Sequence, residues 1–234
     1  MEDSVRLAFI LLILFFIFSN IASAGGKLIY AKGNVEVLSK KAKSKMFQKV
    51  KKGATLEIGD IVRTRKGALA ILSLDGGSKL KLNPDSAVTI KNTQKNNEEV
   101  FLNKGSAFIN VLKSKLTKDA KPKFNLRTKT VSMGVRGTSF FASYGKQQKK
   151  KVRKDVWMCV NEGLVDVQNV KSGQKVSVKA GEGIKVDKGD KISDPKPLAW
   201  TQKLNWNMDE SKGDLDNKVS IEDAYSDPLD QDYD

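Results

Sequence analysis

Histidine is missing from all 234 residues, and Cys159 is the one cysteine. Without an imidazole there is no Ser-His-Asp or Cys-His catalytic arrangement and no histidine-rich zinc site. A lone thiol excludes a cysteine-paired metal site and any internal disulfide, so the core must hold by packing. Cys159 lies in the run Val156-Trp157-Met158-Cys159-Val160. A run of this kind is buried whole, which makes the thiol a small core residue. What remains for catalysis is a Ser-Lys or paired-carboxylate site. Pairs such as Ser139 with Lys146, or Asp60 with Asp75, have no spacing logic behind them. These residues point to a non-catalytic protein that needs neither cofactor nor metal.

The chain also lacks an apolar run of spanning length. Leu7 to Phe18 is unbroken but shorter than the roughly 20 residues of a membrane helix. It is followed by Ala22-Ser23-Ala24, the small-x-small ending that signal peptidase accepts, although Glu2 and Asp3 weaken the usual positive start. The expectation is a signal peptide over residues 1–24, cleaved after Ala24, and a periplasmic or secreted protein. The alternative is a chain anchored by Leu7–Phe18. With no cysteine near the cleavage point, the bacterial lipoprotein route is excluded.

Charge is abundant and segregated. The formal net charge is +15; residues 25–207 carry +24 and residues 208–234 carry −8. A basic body of this size attracts anionic polymers or membrane surfaces and also keeps the protein soluble. For an exported chain the expected partner is an envelope protein or an anionic envelope polymer. Nucleic acid is not expected, and a membrane is met only through the signal peptide or surface charge. The lysine-rich connection from Gly145 to Asp155, with Lys146, Lys149, Lys150, Lys151, Arg153 and Lys154, is the candidate contact for such a partner.

Strand signals dominate from Lys27 to Asp187. Lys79-Leu80-Lys81-Leu82 alternates strictly, placing both leucines on one face and both lysines on the other. Glycine, asparagine and aspartate punctuate the runs, as at Asp75-Gly76-Gly77 and Asn83-Pro84-Asp85. Ser39 to Lys45 is basic and poor in apolar residues, and reads as an exposed loop. No stretch has convincing helical periodicity. The fold is therefore all-β, with many short strands over residues 25–187; a sandwich, a barrel and a β-solenoid or roll all fit. Residues 188–207 contain Pro195 and Pro197 and read as a linker or short extension laid on the body. Residues 208–234 are acidic and poor in apolar side chains, a composition expected to stay disordered.

Several pieces occur in a fixed order. Gly59-Asp60, Val62 and Thr64 come first, followed by the strand and turn from Ala70 to Gly77. The segment Gly134-Val135-Arg136-Gly137-Thr138 with Phe140 comes next, then Glu162-Gly163 and Gly181-Glu182. Together they resemble the periplasmic domain of the ferric-citrate regulator (FecR) family, over roughly Leu28 to Val186. The residues themselves suit structural roles. The glycines allow turns and close backbone approach, Arg136 has a fork of donors for carbonyls, and Thr138 can cap a turn. The resemblance implies an envelope sensing or binding domain. Its best-known members are inner-membrane signalling proteins that act with a sigma factor and an outer-membrane transporter. Only Met1 to Arg6 precede the apolar run here. The expectation is a stand-alone exported member, with a signalling component acting as a separate chain as the alternative.

Overall fold

A computed structural model describes residues 24–113, 123–145, 147–148, 151–152, 155–186 and 191–217. Strands in chain order are β1 (Ala24–Lys32), β2 (Val35–Leu38), β3 (Gln48–Lys49), β4 (Thr55–Glu57), β5 (Ile61–Thr64), β6 (Leu69–Leu74) and β7 (Lys79–Leu82). They continue with β8 (Ala87–Gln94), β9 (Asn97–Asn110), β10 (Phe124–Arg127), β11 (Val131–Val135), β12 (Ser139–Tyr144), β13 (Gln147–Gln148) and β14 (Lys151–Val152). The last are β15 (Val156–Glu162), β16 (Leu164–Asn169), β17 (Lys175–Lys179), β18 (Glu182–Val186) and β19 (Lys196–Pro197). Apart from the β13–β14 hairpin, these strands form one continuous sheet.

The long strand β9 joins two leaves of that sheet. Its first part, Asn97–Lys104, pairs with β8 and, in parallel, with β10. Its second part, Gly105–Asn110, pairs with β7 and β12. The first leaf runs β3-β2-β5-β8-β9-β10-β11-β16-β17. The second runs β4-β1-β6-β7-β9-β12-β15-β18-β19. The strand changes leaves at Gly105, whose φ is +82°. A Cβ there would lie 2.5 Å from the Ser86 Cα, so both the conformation and the space require glycine. Ser86 uses this closeness: its Oγ accepts from the Ser106 N–H at 2.8 Å and donates to the Ser106 carbonyl at 3.0 Å.

Alternation decides what fills the space between the leaves. Val35 and Val37, Val100 and Leu102, Phe124 and Leu126, and Val165 and Val167 from the first leaf share one buried cluster with second-leaf residues. Those include Leu72, Leu80, Leu82, Ile109, Phe140, Met158 and Ile184. The all-β expectation holds in its sandwich-like form.

The outer face of the second leaf is apolar as well. Leu69, Ile71, Phe108, Phe141, Trp157 and Cys159 point there and are buried beneath Leu198, Leu204, Met208 and Leu215. That is why β6, β12 and β15 read as unbroken apolar runs: both of their faces are covered. The cover is the C-terminal extension, with 3₁₀ turns at Ala199–Lys203 and Glu210–Lys212. The sequence boundary of the acidic tail, Met208, therefore shifts. Met208 and Leu215 are buried as apolar anchors within an acidic stretch whose residues 210–214 stay exposed. Residues 218–234, and residues 1–23 of the expected leader, lie outside the described residues.

Candidate docking surfaces

The motif residues act locally and do not meet in one site. Gly59 has φ +99° in the turn before β5. Asp60 is buried, and its carboxylate accepts the Lys40 N–H at 3.0 Å and the Glu57 N–H at 2.9 Å. Thr64 is buried; its hydroxyl donates to the Asn83 carbonyl at 2.5 Å and accepts from the Ser86 N–H at 3.0 Å. Gly137 has φ +76°, and a Cβ there would lie 2.7 Å from the Lys113 Cα. Thr138 donates to the Leu164 carbonyl at 3.0 Å, tying the motif to β16. Phe140 is fully buried in the inter-leaf core. Arg136 follows β11 and is half-buried.

Gly134 sits on the outer side of the first leaf between Asn125 and Asp166. It lies in a shallow groove of about 380 Å³ that Ser132, Gln168 and Ser177 also line. Ser177 donates to Asp166 at 2.6 Å across that groove. Of the lysine-rich connection expected to touch a partner, Lys146, Lys149, Lys150, Arg153 and Lys154 lie outside the described residues. Lys151 belongs to β14, opposite Gln148.

A second basic element, read from sequence only as an exposed loop, stands out in three dimensions. Ser39 to Lys52 holds Lys40, Lys41, Lys43, Lys45, Lys49, Lys51 and Lys52, and no acidic residue. Lys41 pairs with Glu57 at 2.9 Å and Lys52 with Glu210 at 2.7 Å. Met46, in the same segment, is 70% exposed. Beside it lies a groove of about 340 Å³ with Val37, Ala42 and Val50 among its lining residues. The next residue, Phe47, lies under the Arg63 guanidinium, 3.4 Å from ring centroid to Cζ. Arg63 is in turn held by Glu36. Burial would raise the Glu36 carboxyl, but Arg63 and Arg65 outweigh it and keep that carboxyl ionised below its ordinary value.

Lys81 is the side chain that sequence reasoning placed least well. It is fully buried on the outer side of β7, under the C-terminal extension. Its ammonium donates to the carbonyls of Asn205 at 2.5 Å, Asn207 at 2.8 Å and Leu215 at 3.2 Å. It also lies 4.5 Å from the centroid of the Phe108 ring. Burial pushes Lys81 down to about 8, against the opposing charges of Asp216 and Asp214. Nearby, burial pushes the Cys159 thiol up to about 12, which leaves it protonated and inert at neutral pH.

Among the described residues, no three His, Cys, Asp or Glu side chains group to hold a metal ion. None of their helices is long and apolar enough to cross a membrane. No curated protein matches the chain. Two crystal structures of a putative anti-sigma factor from Parabacteroides distasonis ATCC 8503 are similar. Each shares 22% identity over 62% of this chain and 67% of that chain, with a TM-score of 0.48. Residues 60–166 match the family model described as FecR protein. That stretch runs from the Asp60 turn through the shared strand β9 and the Gly134–Thr138 motif into β16, and over it the chain matches the FecR family.

Proposed function

We propose that this chain is an exported, non-catalytic docking module of the cell envelope, and that its basic β body recognises an anionic partner, either a protein or an envelope polymer. The observation that carries the reading is charge segregation: net +24 over residues 25–207, with a cluster of seven lysines exposed along one rim. A charge excess of this size raises the local concentration of anions and speeds their encounter. The test is affinity capture from envelope fractions at low and high salt. The expected partner is retained at low ionic strength and released when screening shortens the reach of charge to a few ångströms. Capture that is indifferent to salt, or recovery of the uncleaved chain from the cytosol, defeats the reading.

The FecR match supports a signalling-related role, and this favours a second reading. Here the docking event is itself the signal, and the partner is a membrane sensor or transporter met as a separate chain. Crosslinking in intact cells distinguishes the two. A membrane protein partner supports signalling, whereas a polymer alone supports simple docking.

A further inference from the structure

The rim from Ser39 to Lys52 combines two properties, the second of which a purely hydrophilic polyanion does not require. One is density of positive charge: seven lysines in the segment and no carboxylate. The carboxylates that do approach it are already engaged. Glu57 pairs with Lys41, and Asp60 is taken up by two backbone N–H groups. Lys40, Lys43, Lys45, Lys49 and Lys51 have no ion pair with any described residue. The second property is an apolar tip. Met46 stands 70% exposed beside the groove that Val37, Ala42 and Val50 help to line.

The tip is held from behind. Phe47 is clamped against Arg63, and the base of the segment is paired as β2 with β3, Glu36 opposite Lys49 and Val37 opposite Gln48. An exposed methionine on a braced base, in a segment with five lysines that make no ion pair with any described residue, is the arrangement that suits a phosphate-bearing leaflet. The ammonium groups meet the headgroups, and the thioether and the groove reach the acyl boundary.

We infer that the Ser39–Lys52 rim docks on an anionic lipid surface, with Met46 as its inserting side chain. This rests on the reading above that the basic body recognises an anion, and takes that anion to be a lipid surface in place of a protein or a polymer. The experiment uses the purified exported chain with three probes. They are vesicles of phosphatidylcholine containing about 30 mol% phosphatidylglycerol, vesicles of phosphatidylcholine alone, and soluble dextran sulfate. Each lysine near an anionic surface strengthens binding by roughly fivefold, so the triple variant K43E/K45E/K49E should lose at least about a hundredfold on anionic vesicles. Met46→Ser, at an exposed position that leaves thermal unfolding unchanged, should lose roughly tenfold on anionic vesicles and nothing on dextran sulfate. If Met46→Ser binds vesicles like the parent, or dextran sulfate binds as tightly as anionic vesicles, the lipid inference falls while the anionic-partner reading stands. If neither anionic probe binds better than neutral vesicles, both fall.

Discussion

Replacing Lys81 with methionine tests how the C-terminal extension is held on the sheet. The side chain keeps an unbranched apolar stem but loses the ammonium, and with it the cation that lies 4.5 Å from the Phe108 ring centroid. Three carbonyls, on Asn205, Asn207 and Leu215, then lose the donor that now sits 2.5–3.2 Å away. A hydrogen bond from a charged donor contributes about 1.5–3 kcal/mol net, and a buried carbonyl left unsatisfied costs about 1–3 kcal/mol. Against this, the variant no longer buries a charge, which offsets part of the loss. The balance is about 3 kcal/mol, and it falls mainly on the extension, because Lys81 itself stays on a central strand. An opening equilibrium shifted by this amount raises the open population about a hundredfold. Limited proteolysis reads that population when reclosing is fast relative to cleavage. The expected result is cleavage within residues 199–217 accelerated by about two orders of magnitude, with a smaller change in the global unfolding midpoint. Unchanged cleavage in that segment would refute the claim that Lys81 fastens it.

Three further outcomes follow from the same geometry. Lys81 holds its proton only to about pH 8 when folded, against about 10.4 in an unfolded chain. Across that window the unfolded state binds the extra proton, so stability rises with pH; denaturant titrations should show this rise in the parent relative to K81M, and equal slopes would reject it. Gly105→Ala should destabilise by about 2–4 kcal/mol, because the new methyl meets Ser86 in a left-handed backbone conformation; a melting temperature equal to the parent's would overturn the account of how β9 changes leaves. Burial raises the Glu98 carboxyl despite its hydrogen bonds from Ser78. Its ionised form therefore costs stability, and that cost grows as pH climbs through the raised value. Glu98→Gln should raise the melting temperature at neutral pH and flatten the acid-side dependence, and a lower melting temperature would contradict this.

Much of the fold was legible in local pattern. Leu80 and Leu82 alternate with lysines, and both leucines enter the inter-leaf core as a period of two requires. Turns such as Gly59-Asp60 were legible too, since the carboxylate of Asp60 caps the N–H of Glu57 only three residues earlier. The basic rim was visible as composition, but its apolar tip and braced base depend on Arg63 and Glu36, which belong to neighbouring strands.

Composition and periodicity alone settled that the chain is a β protein without histidine chemistry or disulfides, because side-chain alternation and missing residue types are properties of the string itself. Tertiary structure alone decided which of two alternating lysines would be buried. Lys79 stays exposed, while Lys81 finds carbonyls 124 to 134 residues further along the chain. It also decided that Met208 and Leu215 of an acidic stretch would be buried, because the apolar face that holds them exists only once distant strands have assembled it.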